Sequence, residues 1–280
     1  MKLRYTAVWV GMTAAAMVVT TACGSGGTKT ASDAVDKAVD KTDMIMAALS
    51  RATDRTEQLG SAEVRMTTTL GSGKPIAADG TYSWGDGYAF DIEMDTKAVH
   101  MEPLTDSPTV RTLLVDGAYY YDVDPQPSGP LAGKEWMKID TSAVFGESGA
   151  DALNSAGGGA SPSASMKSLK YADDVEDLGR EKVDGTSTTH YRAVIDQKGM
   201  GRFKDAYANE DNLFGSMTGG SSSMTMDVWV GAKDLPVRMT QRFGTMKVTM
   251  DFDKFGATKD IAAPPAAQVG DLTDAVKAAS

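Results

Sequence analysis

Apolar and polar residues repeat along this chain with two different periods, and the change from one to the other falls near residue 60. Before that point, apolar side chains recur at three- and four-residue intervals, which is the spacing of one helical face. These apolar positions are Val35, Val39, Ile45, Met46 and Leu49. Ser32 is a suitable N-cap and Gly60 a suitable stop, so the pattern predicts an amphipathic helix over residues 32–58.

After Gly60 the period falls to two, which is typical of strands buried on one face. The predicted strands cover residues 64–70, 76–84, 88–95, 110–115, 118–123, 135–140, 175–183, 188–196, 224–230, 237–243 and 246–252. Asp116-Gly117 and Asp184-Gly185 lie between strands and favour tight hairpins. Because the strands follow one another with short connections, we predict an α+β fold with one large antiparallel sheet.

Three further segments lack this alternation. Residues 203–214 have the apolar spacing of a second helix. Residues 141–165 include a Gly/Ser/Pro run and predict a mobile loop with a short helix near 150–153. The segment 264–280 begins with two prolines and predicts a loosely held tail. The predicted folded domain therefore covers residues 32–263.

The N-terminus has the layout of an export signal. A short basic start precedes an uncharged stretch from Tyr5 to Val19, which is shorter than the roughly 20 apolar residues of a spanning helix. Small residues then precede Cys23, and this arrangement resembles the lipobox of bacterial lipoproteins. We therefore predict a signal peptide over 1–22, followed by a lipidated cysteine and a flexible tether over 23–31. The alternative is an ordinary secretory signal that happens to contain a cysteine.

Charge narrows the range of partners. Loss of the signal removes Lys2 and Arg4, so the net charge changes from −10 to −12 in the mature chain. An acidic protein does not bind nucleic acid non-specifically, and it is repelled by anionic lipid headgroups. Attachment to a membrane would therefore depend on the acyl groups at Cys23, the chain's single cysteine.

The sequence offers little for catalysis or metal binding. Motifs for a serine nucleophile or a phosphate-binding loop are missing, and the two histidines, His100 and His190, lie far apart. His190 is interpreted as a partly buried strand residue. The acidic pairs in 122–124 and 251–253 could bind calcium, or they could be solvated charges on a sheet surface. We therefore predict no catalytic residues, no metal site and no cofactor.

Methionine is the most distinctive component, with 17 residues in the chain. Seven of these lie on apolar strand faces, where a flexible and polarizable side chain suits irregular apolar ligands. Plain core packing is the alternative. If the sheet encloses a cavity, its predicted lining is Met66, Phe90, Ile92, Met94, Leu113, Tyr119, Tyr121, Met226, Met239 and Met250.

Several of these features together resemble a known family. They are the lipidated cysteine with its tether, the first helix, the antiparallel meander and five short segments. The segments cover residues 183–191, 227–230, 234–238, 255–256 and 261–265. The chain is similar in these respects to the LppX/LprG (LppX_LprAFG) lipoproteins. That resemblance implies a LolA-like half-barrel sheet wrapped over a few helices, with an apolar cavity for the acyl chains of envelope phospholipids or glycolipids.

Two functions follow as hypotheses. The first is a lipoprotein anchored on the extracellular face of the cytoplasmic membrane that binds or carries envelope lipids. The second is a sensor or adaptor that uses the same fold to bind a protein partner in the envelope. A surface enzyme is disfavoured because no nucleophile and base can be paired in the sequence.

Overall fold

The computed structural model describes residues 32–85, 87–154, 161–169, 174–196, 221–257 and 260–279, together with 172 and 198. The chain divides into two compact units, Met1–Val39 and Asp40–Ser280, and the fold below is that of the second unit. The predicted lipidation site Cys23 and the helix predicted over 203–214 lie outside the described residues.

Twelve strands form a single sheet within the described residues. In chain order they are β1 (Ser61–Leu70), β2 (Ile76–Ser83), β3 (Ala89–Asp95), β4 (Thr109–Val115), β5 (Ala118–Asp122), β6 (Trp136–Asp140), β7 (Asp174–Val183), β8 (Thr186–Asp196), β9 (Ser223–Val230), β10 (Pro236–Phe243), β11 (Met246–Asp253) and β12 (Val269–Asp271). Their order across the sheet is β12-β6-β5-β4-β3-β2-β1-β11-β10-β9-β8-β7. The sheet is open and curved, so the predicted α+β class with a large curved antiparallel sheet is confirmed. All eleven strands predicted from the period-two pattern are present as β1 to β11.

Four α-helices accompany the sheet in the described part of the chain. They are α1 (Ser32–Leu59), α2 (Thr141–Asn154), α3 (Pro162–Ser168) and α4 (Thr273–Ala279). None of these helices combines the length and apolarity that a bilayer-spanning segment requires.

Helix α1 is tied to the end of β2 at its C-terminus. Gly60 adopts a positive φ of 69° and its amide bonds back to the carbonyls of Thr56 and Glu57, as a terminating glycine does. The Gly60 carbonyl then accepts a 2.7 Å hydrogen bond from the Trp84 amide, and the Trp84 indole N–H donates to the Thr56 carbonyl at 3.0 Å. The apolar side chains that α1 buries in the core are Ile45, Leu49 and Ala52.

Side chains of the sheet alternate between two faces, and one of them carries the main core. We name the inner face as the one whose buried side chains cluster with those of α1. Its register crosses several strands: Met239 of β10 lies opposite Met250 of β11, which in turn lies opposite Met66 of β1. The outer face is the opposite side of the same sheet.

The prediction of a mobile loop over 141–165 is wrong for its described residues, because α2 and the first part of α3 lie within it, whereas the short helix predicted near 150–153 is confirmed as part of α2. Residues 155–160 of the predicted loop lie outside the described residues. Ser161 begins α3 as an N-cap: its Oγ accepts a 3.1 Å hydrogen bond from the Ala164 amide, and Pro162 occupies the first turn. The Ser161-Pro162-Ser163 segment, whose composition is typical of low complexity, is therefore the N-terminus of a helix. Within α2, Gly146 interrupts the helical backbone with a φ of 71° and a ψ of 170°.

The prediction of a loosely held tail over 264–280 is also wrong. Strand β12 extends the sheet by pairing with β6. Among the described strands, this is the one pair in the sheet that is parallel. The two strands are joined further by Lys138 Nζ, which lies 3.0 Å from a carboxylate oxygen of Asp271. A Cβ at Gly270 would lie 2.4 Å from the Pro130 carbonyl oxygen, so only glycine permits this close approach.

Candidate functional site

Nine of the ten residues predicted to line a cavity lie on the inner face. Cross-strand pairing places Met94 opposite Ala78, Ile92 opposite Gly80, and Phe90 opposite Tyr82. The methionines of β1, β9, β10 and β11 continue the same face on the other side of β2. The nine residues are Met66, Phe90, Ile92, Met94, Tyr119, Tyr121, Met226, Met239 and Met250.

The placement of Leu113 on this face is wrong. Leu113 pairs with Asp91 and Tyr120 and belongs to a second apolar cluster on the outer face. That cluster also contains Trp136 and is packed against Ile261, which comes from the segment after β11. Because β4 is buried on both faces at this point, its sequence shows no polar alternation from which the direction of Leu113 could be read.

The nine inner-face residues differ in how exposed their side chains are: five are buried and four are half-buried. Met226 and Met239 are 0% and 1% exposed, so the molecule's own side chains already fill the space around them. Met66, Met94 and Tyr119 are only half-buried. An acyl chain could therefore contact these half-buried side chains without displacing packed core, whereas Phe90 and Ile92 between them are buried. The candidate site narrows to this part of the inner face.

A continuous group of aromatic rings occupies this half-buried region. The ring of Phe90 lies 5.3 Å from that of Tyr82 and 6.0 Å from that of Tyr119, centroid to centroid. Tyr119 in turn lies 6.2 Å from Tyr121 and 6.4 Å from Phe145 of α2. Such rings present large, rigid apolar area at little conformational cost. Tyr82 and Phe145 were not predicted as lining, because their contacts depend on how β2 and α2 pack.

The region is uncharged. Burial raises the pKa of Tyr82 and of Tyr119, and it raises the pKa of Tyr121 to about 12. All three phenols therefore stay protonated at physiological pH. The charged side chains of β3 to β6 all have outer-face parity in the register. They are Asp91, Glu93, Asp95, Arg111, Asp122, Lys138 and Asp140.

One threonine hydroxyl is buried within this apolar surface. Thr112 lies on the inner face, opposite Ile92 on one side and Tyr121 on the other. The residue is 2% exposed, and its Oγ1 has no hydrogen-bond partner in the part of the chain that the structure describes. The sequence analysis did not single it out, although a threonine between the buried Val110 and Leu114 on the same face is a detectable signal.

A separate polar cluster lies on the outer face around Asp227. Its carboxylate accepts hydrogen bonds from Arg192 Nε at 2.8 Å and Arg242 Nη1 at 2.6 Å, and it lies 2.8 Å from His190 Nε2. Burial acts to raise the pKa of Asp227, but these hydrogen bonds outweigh it and lower the pKa. The imidazole also stacks on Trp229, with ring centroids 4.1 Å apart. His190 is thus the partly buried strand residue that the sequence predicts.

The two acidic pairs make ordinary protein contacts. Asp251 accepts a hydrogen bond from Arg238, and Asp253 accepts one from the Lys254 amide at 2.8 Å. Asp124 accepts one from the Asp106 amide at 2.7 Å. These contacts favour the interpretation of the pairs as surface charges over calcium ligands.

Two Streptomyces proteins are related to this chain along most of its length. An uncharacterized 31.2 kDa protein from the rplA-rplJ intergenic region of Streptomyces griseus is 25% identical over 247 residues, which cover 83% of this chain and 80% of that protein. A Streptomyces coelicolor protein named as a candidate lipoprotein is 26% identical over 300 residues, covering 97% and 95% of the two chains. No family profile matches the chain.

Among solved structures, the chain is similar to the lipoprotein LppX of Mycobacterium tuberculosis. The two are 15% identical, and the comparison covers 79% of this chain and 99% of that one with a TM-score of 0.49.

Proposed function

We propose that this chain, which has an LppX/LprG-like LolA fold, is an extracytoplasmic lipoprotein that binds the acyl chains of an envelope lipid. Lipid on Cys23 holds it on the outer face of the cytoplasmic membrane, and the half-buried part of the inner face contacts the ligand. The mature protein carries its ligand as cargo and does no chemistry on it.

The observation that carries this proposal is the uncharged aromatic and methionine surface across β1 to β5. Met66, Met94, Tyr119 and Tyr121 are only partly covered there, and the phenols of both tyrosines titrate above physiological pH. Burying ten CH₂ groups of an acyl chain there would gain roughly 8 kcal/mol before ordering costs. After those costs, micromolar affinity is the expected upper range.

Anchoring is supported by separate observations. The N-terminal pattern ends in a lipobox-like run before Cys23. The Streptomyces coelicolor relative, whose name marks it as a candidate lipoprotein, matches 97% of this chain.

The test uses the mature chain, residues 23–280, with Cys23→Ser so that its own anchor cannot occupy the site. We expect native mass spectrometry to show co-purified lipid, and a fluorescent acyl probe to bind after delipidation. Met94→Asp places a charge on the half-buried part of the inner face and should abolish probe binding. Met44→Asp is the matched control, because Met44 of α1 is 73% exposed and should tolerate the same substitution.

Circular dichroism must show that Met94→Asp keeps its fold. Met239 is unsuitable for the test, since a charge at a fully buried position would unfold the domain. If folded, delipidated wild-type protein binds neither the probe nor extracted envelope lipid, the lipid-binding proposal is wrong and the protein-partner hypothesis takes its place.

A further inference from the structure

The hydroxyl of Thr112 is a polar group buried among apolar side chains. Leaving a buried hydroxyl without a hydrogen bond is costly, and folded proteins nearly always satisfy such groups. A valine would fill the same volume in β4 without that cost. Thr112 Oγ1 nevertheless has no partner among the described residues. The hydroxyl is itself covered, but it lies beside the half-buried Tyr121, so a ligand oxygen would reach it by displacing a neighbouring side chain.

Two further hydroxyls lie on the neighbouring strand. Tyr121 pairs directly with Thr112 across β4 and β5, and Tyr119 follows on the same face with its ring stacked on that of Tyr121. Directly opposed side chains in antiparallel strands have Cβ atoms about 5 Å apart, so Thr112 and Tyr121 are neighbours on this face, with the phenol oxygen at the far end of the tyrosine ring. A hydroxyl donor at each residue would suit a single acceptor oxygen.

The surrounding charge decides what kind of acceptor fits. The charged side chains of β3 to β6 lie on the outer face, so these described strands place no cation beside Thr112 to offset a carboxylate. Both phenols keep their protons at physiological pH and can donate. The ligand group at this position should therefore be a neutral carbonyl oxygen.

We propose that Thr112 and Tyr121 form a polar subsite within the inner face that hydrogen-bonds the ester carbonyl of an esterified acyl chain. The proposal rests on the proposed function and refines it. It assigns the ligand to acyl esters, in preference to free fatty acids or plain hydrocarbon chains.

The experiment compares three C16 ligands that differ at one end: methyl hexadecanoate, hexadecyl methyl ether and hexadecanoate. Each is delivered from cyclodextrin and displaces a fluorescent acyl probe from the delipidated mature chain carrying Cys23→Ser. One hydrogen bond gained corresponds to about a threefold to tenfold difference in affinity. We expect the wild-type sequence to prefer the ester to the ether by that factor, and to bind hexadecanoate more weakly than the ester.

Thr112→Val keeps the shape of the side chain and removes the hydroxyl, so it should bind ester and ether alike. Tyr121→Phe should reduce the ester preference, whereas Thr112→Ser retains a hydroxyl and should keep it. Thr109→Val is the matched control, since Thr109 lies on the same strand, exposed, with outer-face parity. It should leave the preference unchanged.

The outcomes separate this proposal from the broader one. An ester preference that persists in Thr112→Val would mean that the preference does not come from this hydroxyl, and it would overturn the subsite. An equal loss of ester and ether binding in that variant would also overturn it, because the residue would then act through packing. Failure of all three ligands to bind the wild-type sequence would instead contradict the proposed function itself.

Discussion

At the scale of single residues, the turn between β4 and β5 holds two successive residues in the left-handed region of backbone conformation. Asp116 has a φ of 52° and Gly117 a φ of 74°, as the primed turn of a tight two-residue hairpin requires. Gly117→Val should lower the free energy of unfolding by more than ~1 kcal/mol, because a β-branched residue fits that region poorly. Urea denaturation measures the loss. Asp116→Asn is the control, since asparagine tolerates positive φ, and equal midpoints for all three proteins would contradict the turn assignment.

Asp227 is a residue whose stabilising effect should depend on pH. Its folded-state pKa lies below the ordinary value of 3.8, although burial alone would raise it, because three side chains donate to its carboxylate. A depressed carboxyl pKa stabilises the fold above the unfolded pKa, and this contribution is lost as the pH falls through the folded pKa. Asp227→Asn should therefore cost about 2 kcal/mol at pH 7.

The difference in unfolding free energy between Asp227→Asn and the wild-type sequence should narrow below about pH 3.8. Chemical denaturation at a series of pH values checks this. The control is Asp253→Asn, whose exposed carboxylate bonds only its neighbouring backbone amide among the described contacts. If the difference in unfolding free energy stays constant from pH 7 to pH 2, folding does not lower the pKa of the Asp227 carboxyl and the prediction is wrong.

At the scale of elements, the C-terminal segment is a structural part of the sheet. Removing residues 264–280 deletes β12 and uncovers Trp136 and Met137 of β6, both buried in the complete chain. We expect the truncated protein to lose at least about 2 kcal/mol of stability from this exposure. Thermal unfolding of the two chains is the measurement.

A point substitution distinguishes the effect of losing β12 from the effect of shortening the chain. Gly270→Val should displace β12 by collision with the Pro130 carbonyl and reproduce most of the loss. Ala267→Val, at an exposed position just before β12, should not. Unchanged melting of the truncated chain would show that β12 contributes nothing to the fold.

Elements with a long periodic signal could be predicted from the sequence, and short or doubly buried ones could not. The eleven predicted strands are each at least five residues long, and most of them bury one face, so their alternation is visible. Strand β12 has only three residues and shows no period. In β4, burial of both faces removed the alternation, so Leu113 was assigned to the wrong side while Thr112 passed unnoticed. Parity located the inner face, but only tertiary packing distinguishes the closed Met239 from the half-buried Met94.

At the scale of the whole molecule, the two faces of the sheet differ in polarity and charge. The inner face is largely apolar and includes the hydroxyls of Tyr82, Thr112, Tyr119 and Tyr121, whereas the outer face carries the charged groups around Asp227 and Asp251. The net charge of −10, which would become −12 on loss of the proposed signal peptide, would repel that exterior from anionic headgroups. A protein built in this way would bind acyl chains internally while its exterior stays off the membrane surface, so its attachment would depend on the N-terminal lipid.

Cys23→Ser should therefore release the protein from the membrane. Each buried CH₂ contributes about 0.8 kcal/mol, and stable anchoring needs two acyl chains, so loss of the modified cysteine removes nearly all of the membrane affinity. Cell fractionation followed by quantification of membrane-bound protein measures the effect. Thr21→Ser is the control, since it keeps a small residue before the cysteine and should leave the protein attached. Retention of Cys23→Ser in the membrane fraction at the wild-type level, after a high-salt wash that removes peripheral proteins, would show that the chain is held by something other than lipid on this residue.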